Sequence, residues 1–254
     1  MKIILTPFFL DQHSVDIERM DFSVATLNRP PMTGSDIQAR MSKAHAGIAD
    51  AVDAALRAGQ KPVAISGDCC ATIGVLAGLQ RASVDPVLVW LDSHGDFNSW
   101  ETTPSGFLGG MPLAMMCGIG EQRMMNAVGA QPLAPHRVIL SDGRDLDPGE
   151  RRLVEQSGIL HLADPEALTT MRIPNRPIWV HFDTDVINLD EMPACKYPAK
   201  GGPSTERVRA VARQLAASGR IAAVSMTTWA FDMDPDGSAG RTCMSVFDAL
   251  VRTL

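Results

Sequence analysis

Apolar residues fall along this chain in two patterns: short continuous runs, and longer stretches where they recur every three or four positions. The runs at 2–5, 62–66, 87–91, 137–140, 177–182 and 221–226, with a shorter one near 159–162, have the length and β-branched content of buried strands. Ile37, Met41, Ala44, Ile48, Val52 and Ala55 recur at helical spacing, in a helix that Ser35 should cap and Gly59 should end. Further helices are predicted over 71–82, from Asp147-Pro148 through Gln156, over 204–217, and from about Thr242. The Met-rich stretch between Gly106 and Gly118 reads as a core helix, and the polar, proline-containing stretch from 6 to about 34 as an irregular loop of the kind that covers a site. Strands alternating with helices throughout predict an α/β fold: three layers, doubly wound, around a mostly parallel sheet. No linker or composition shift divides the chain, so one domain over 1–254 is expected.

The ends of these strands carry the chemistry. After the run at 87–91 come Asp92, His94 and Asp96, and after the run at 177–182 come Asp183 and Asp185. Residues two apart on extended backbone point the same way, so each set can converge on one point. Carboxylates and an imidazole at the carboxyl ends of strands, where open α/β sheets place their sites, suit a divalent cation. Cys69 follows the strand at 62–66 in Gly67-Asp68-Cys69-Cys70, and either cysteine is placed to reach the same region. Free cysteines are also among the most buried residues, so a packing role competes with ligation. Arg144 and Asp145 close another strand; such a pair is more often a salt bridge fixing a loop than a functional group.

Composition narrows the partners. A formal charge of −6 leaves no basic surface for nucleic acid or anionic membrane, which points to a small-molecule substrate. Five dispersed cysteines without C-x-x-C pairing, and an opening apolar segment too short for a signal peptide, predict a reducing, cytoplasmic setting. No apolar run approaches the ~20 residues needed to cross a bilayer.

With these residues in view, the chain resembles the ureohydrolase superfamily of arginase, agmatinase and formiminoglutamase, whose sheet is shared with metal-dependent deacetylases. Gly67-Asp68-Cys69 sits where that family has Gly-Asp-His, Asp92-Ser-His94-Gly-Asp96-Phe-Asn98 matches its Asp-x-His-x-Asp-x-Asn, and Asp183-Thr-Asp185 matches its Asp-x-Asp. The resemblance implies two Mn²⁺ ions and a hydroxide that attacks a guanidinium or amidine carbon. One ion would be held by Cys69, Asp92, Asp96 and Asp183, and the other by Asp92, His94, Asp183 and Asp185, with Asp96 also orienting the nucleophile. Asn98, Ser105, Phe107 and Thr228 would face the substrate. Homo-oligomers, trimers or hexamers, are also implied.

Three departures qualify that expectation. A thiolate at Cys69 would add negative charge and a soft donor, so the ion beside it is expected to bind weakly or not at all. SGFLGGM replaces the arginase-like SGNxHGM, so Phe107 stands for an Asn and Gly109 for a His. Thr228 stands where the family carries a Glu that grips a guanidinium, which argues against free arginine as substrate. The branch that hydrolyses Nω-hydroxyarginine in D-cycloserine biosynthesis is similar in its Cys and in its HGDFN…ETT…GYLGGM run, but keeps that carboxylate. The expected function is metal-dependent hydrolysis of a non-peptide C–N bond in an amidine, hydroxyguanidine or related small molecule. Two alternatives stand beside it: a one-metal hydrolase of the deacetylase type, and a noncatalytic relative binding a small ligand or a partner chain.

Overall fold

The apolar runs become the strands of a single parallel sheet. The computed structural model describes residues 1–254 other than Asp21, Ser23, Val24 and Thr228. Its first half comprises β1 (Lys2–Thr6), β2 (Phe8–Phe9), β3 (Gln12–His13), α1 (Val15–Glu18), β4 (Thr26–Leu27), α2 (Ile37–Arg57), β5 (Pro62–Ser66), α3 (Thr72–Arg81), β6 (Val87–His94), α4 (Pro112–Met116) and α5 (Arg123–Val128). Then follow β7 (Val138–Asp145), α6 (Pro148–Ser157), β8 (Leu160–Leu162), β9 (Ile178–Asp183), α7 (Thr205–Ala217), β10 (Ile221–Thr227) and α8 (Ser238–Val251). Among the described residues the main sheet has eight strands in the order β4-β1-β5-β10-β9-β6-β7-β8, all paired in parallel.

Alternation along each strand sorts the core into two layers. Ala64, Leu88, Trp90, Trp179 and Ala223 pack with α2, α3, α4 and α5, while Val63, Ile65, Val89, Leu91, Val180 and Phe182 pack with α7 and α8. The chain lays down β1 and β5, jumps to β6, β7 and β8, and returns to fill the gap with β9 and β10. The reversal of strand order opens a crevice at the carboxyl ends of β5, β6, β9 and β10, the place where a ligand fits such a sheet.

Several elements differ from the sequence reading. Asp36, not Ser35, caps α2: its side chain accepts the Ala39 N–H at 3.0 Å, and the Ser35 hydroxyl bonds to Asp36 instead. The stretch expected to be irregular holds the β2–β3 hairpin, α1 and the edge strand β4. Only 112–116 of the Met-rich stretch forms an α-helix, after a 3₁₀ turn at Leu108–Gly110, and α5 has no counterpart in the reading. The last helix begins at Ser238 because the Asp234 carboxylate accepts the N–H groups of Ala239 and Gly240, at 3.0 and 2.7 Å. An Asp/Pro/Gly-rich sequence that looks like a turn is thus a helix start.

Candidate metal centre and substrate cleft

Asp92 is the hinge of the site. It lies near the carboxyl end of β6, where Trp90 Nε1 donates to its Oδ2 at 2.9 Å and the His94 backbone N–H to its Oδ1 at 2.7 Å. His94 Nδ1 stands 3.1 Å from Asp185 Oδ2 and 3.5 Å from Asp92 Oδ1. Asp185 is fixed by Ser93, whose hydroxyl and backbone N–H both donate to Oδ1, at 2.7 and 3.2 Å. Asp183, the last residue of β9, accepts at Oδ2 from Cys69 Sγ at 2.9 Å and Thr227 Oγ1 at 3.3 Å. Cys69 opens a 3₁₀ turn after β5, capped by Asp68, whereas the Cys70 thiol turns away to the Leu108 carbonyl. Of the two adjacent cysteines, it is therefore Cys69 that faces the carboxylates.

Two groups of donor atoms converge, each within 4.8 Å: Cys69, Asp92, His181 and Asp183, and Asp92, His94 and Asp185. Asp92 belongs to both. His181 is the residue that sequence reasoning missed, hidden inside the apolar run of β9, although it shares the phase of Asp183 two positions on. Asp96 was expected among the ligands of the first ion but stands in neither group. Its carboxyl lines the same cleft, close enough to Asp92 and Asp183 to feel their charge. Its backbone has φ of +48°, a left-handed conformation rare for Asp, held because its carbonyl accepts the Leu113 and Ala114 N–H groups at the start of α4, at 2.9 and 3.2 Å.

The charge balance of this pocket calls for cations. Asp92, Asp96, Asp183 and Asp185 are all buried, and among the described residues no Lys or Arg lines the cleft. Burial, and next the charge of Asp185, pushes Asp92 above the usual carboxylate range; burial and the charge of Asp92 push Asp96 well above it too. Burial would lower His94, but its contacts with Asp185 and Asp92 outweigh that and raise it. Burial and the charge of Asp183 hold Cys69 well above the ordinary thiol range. A divalent ion reverses this logic by supplying the missing positive charge, and carboxylates with imidazole are the donors that hard or borderline ions prefer. The donor set therefore fits a divalent metal.

The cleft has an acidic wall and an aromatic one. Asn98 donates to Asp147 Oδ2 at 2.9 Å, and Asp145, Asp147 and Glu150 line the cleft beside it. Glu150 accepts the N–H groups of Phe97 and Asp147, at 2.8 and 3.0 Å, and burial pushes it up to about 7. Asp145 and Asp147 repeat, after β7, the two-apart signature that marked the other strand ends, a signal the sequence reading passed over. The same cleft is lined by Phe107, Tyr197 and Phe9, which cluster with ring centroids 4.8 Å apart for Phe107–Tyr197 and 6.5 Å for Phe9 to each. Ser105 is an exposed rim residue whose hydroxyl accepts the Phe107 N–H at 3.2 Å. Thr228 lies outside the described residues. Arg144 pairs with Asp142, not Asp145, and its guanidinium binds the carbonyls of Asp185, Val186, Ala199 and Lys200. It staples the loop after β9.

A doubly wound sheet with carboxylates, imidazole and thiol meeting at its strand ends defines a class of site that could hold divalent metal. The comparisons make the class specific. Residues 8–251 match the family model described as "Arginase family". Arginase of Bacillus subtilis (strain 168) is 29% identical over 216 residues, covering 80% of this chain and 73% of that relative. N(omega)-hydroxy-L-arginine amidinohydrolase of Streptomyces lavendulae is 31% identical over 167 residues, covering 65% of this chain, which spans 59% of that relative's length. The solved arginase of Bacillus caldovelox superposes with a TM-score of 0.83 at 22% identity, over 98% of this chain and 97% of that one. The chain belongs to the arginase family, a family of C–N bond hydrolases.

Proposed function

We propose that this protein is a metal-dependent hydrolase of a C–N bond in a linear amidine, hydroxyguanidine or related small molecule. The observation that carries the proposal is the sharing of Asp92 between two converging donor groups on the floor of one cleft. The residues fit two divalent ions, Mn²⁺ by family resemblance: one on Asp92 and Asp183, the other on Asp92, His94 and Asp185. When bound, such ions supply Lewis acidity and lower the pKa of water.

The chain itself binds, orients and moves protons. Asp96, anchored by its carbonyl to α4, presents a carboxylate beside Asp92 and Asp183 that can orient the attacking water and take its proton. Asp145 and Asp147 attract the positive end of a substrate. Phe107, Tyr197 and Phe9 offer ring faces to a planar or apolar part, favourable for an amidino group by stacking and by attraction of a cation to the ring. Ser105 supplies a polar contact at the rim, and buried Asn98 holds Asp147 in place. The neutral residue Thr228 in the sequence, where the resemblance places a Glu, favours a substrate less basic than a guanidinium.

Metal content of protein purified without chelator, together with urea release from Nω-hydroxyarginine, arginine, agmatine and guanidinobutyrate at saturating manganese, tests this reading. Two ions per chain and turnover of a weakly basic substrate are expected. A chain that takes up no divalent ion sinks it.

A further inference from the structure

We propose that His181, and not Cys69, supplies the nitrogen or sulfur ligand of the ion held by Asp92 and Asp183, and that the Cys69 thiol serves as a hydrogen-bond donor to Asp183. The proposal rests on the reading of the site as a metal centre. His181 and Asp183 lie two apart on β9 and so share a face of the sheet. Its cross-strand neighbours are Trp90 on β6 and Ser225 on β10.

Both ring nitrogens are aimed. Nδ1 lies 3.0 Å from Ser225 Oγ, which itself accepts the Trp179 Nε1–H at 3.0 Å. Nε2 faces the other way, 3.4 Å from Thr227 Oγ1, which in turn is 3.1 Å from Cys69 Sγ and 3.3 Å from Asp183 Oδ2. The ring is held against Trp90, with centroids 3.9 Å apart, and is fully buried. A ligating histidine donates its other N–H to an outer group that fixes ring and tautomer, and Ser225, locked by Trp179, is such a group. His45 shows what a packing histidine looks like here: equally buried on α2, its Nδ1 meets no partner.

The spacing suits one ion. The four donor atoms of Cys69, Asp92, His181 and Asp183 lie within 4.8 Å of one another, and opposite ligands on an ion with bonds of about 2.1 Å stand roughly 4.2 Å apart. Imidazole is also the better match than soft sulfur for ions that prefer carboxylates. The thiol meanwhile already has an acceptor, Asp183 Oδ2 at 2.9 Å. The imidazole that the family carries after β5 is thus replaced from the neighbouring part of the sheet.

Cobalt(II) and manganese(II) titrations of the wild type, His181→Leu, Cys69→Ala and Ser225→Ala test this. We expect two ions in the wild type, loss of one or a weakening beyond ~100-fold in His181→Leu, near-wild-type affinity in Cys69→Ala, and a ~10–100-fold weakening in Ser225→Ala. In the cobalt-loaded wild type, no thiolate-to-cobalt charge-transfer band and hyperfine-shifted N–H signals from two imidazoles are expected, which decides the matter even if a variant fails to fold. A strong charge-transfer band, a single imidazole signal, or unchanged affinity in His181→Leu overturns the assignment while leaving the hydrolase reading intact. A wild type that binds neither metal removes both.

Discussion

The ring of Phe107 lies so close over Gly109 that a Cβ on the glycine would sit 2.4 Å from Phe107 Cε1. The two positions are therefore one structural change: a ring at 107 occupies the space that any side chain at 109 needs. Gly109→His alone is expected to cost about 1–3 kcal/mol through overpacking. In the double variant with Phe107→Asn most of that cost should vanish, a coupling of at least ~1 kcal/mol. Urea denaturation of the four proteins in the cycle measures it, and strict additivity would refute the linkage.

Arg144 is expected to matter through the loop it staples. Arg144→Met leaves Asp142 buried without its partner and several carbonyls without a donor, at a cost of about 3–5 kcal/mol. Arg144→Lys should recover only part, because a single ammonium cannot reproduce the fork of N–H groups. The ion on Asp185 should bind more weakly in both, measured by metal titration alongside thermal unfolding. Unchanged stability in Arg144→Met would show that the staple is dispensable.

The stability that a protonated Glu150 contributes to the metal-free protein should be lost as pH rises. Glu150 is raised by burial from 4.5 to about 7, so the folded state holds its proton more tightly than the unfolded chain does. Stability contributed by that proton is full below about pH 4.5 and is lost towards pH 7, on the order of 3 kcal/mol. Asp68, raised by burial to about 6, acts in the same sense between pH 3.8 and 6. Because buried His45 and His181, lowered to about 4 and about 3, act in the opposite sense, unfolding of the chelated wild type is compared with Glu150→Gln at a series of pH values, and identical slopes across pH 5–7 contradict the assignment. Added manganese should flatten the curve.

Arginine and agmatine should be turned over poorly even with manganese saturating. The sequence has the neutral Thr228 where the family resemblance places a Glu, and the loss of a carboxylate against a planar cation costs about 3–5 kcal/mol or a factor of ~10²–10⁴ in kcat/KM. Steady-state urea release decides this, and an arginine kcat near ~10 s⁻¹ would mean that a carboxylate of the acidic wall, Asp145 or Asp147, grips the guanidinium in its place.

Most of the side chains that converge in the cleft were legible because they are local. Asp92, His94, Asp183 and Asp185 announce themselves by spacing at the ends of apolar runs, and strand alternation does the rest. His181 was not, since within an apolar run an imidazole looks like filler until Trp90 and Ser225 are brought against it by pairings far apart in sequence. Asp96 was legible as a cleft residue, but not its left-handed backbone or its standing outside the two convergent groups. The layout of the sheet followed from periodicity, while the hairpin of β2 and β3 and the start of α8 depend on side-chain caps and contacts that a hydropathy pattern does not carry.

The Asn98 N–H donates to the Gly110 carbonyl at 3.0 Å, and just outside that closure Asp96 is tied to Leu113 and Ala114. The segment between, with Ser105, Phe107 and Gly109, is a loop pinched shut at its base, and compact loops of this kind tolerate changes that their scaffold does not. Asp92, His94 and Asp96 precede the pinch in sequence, and Phe107 of the aromatic cluster lies within the loop. One part of the cleft lining, Thr103, Ser105, Phe107 and Gly109, is consequently inherited as a cassette: a graft of residues 99–109 from a relative is expected to shift selectivity, while Asp145, Asp147 and Tyr197 stay with the host.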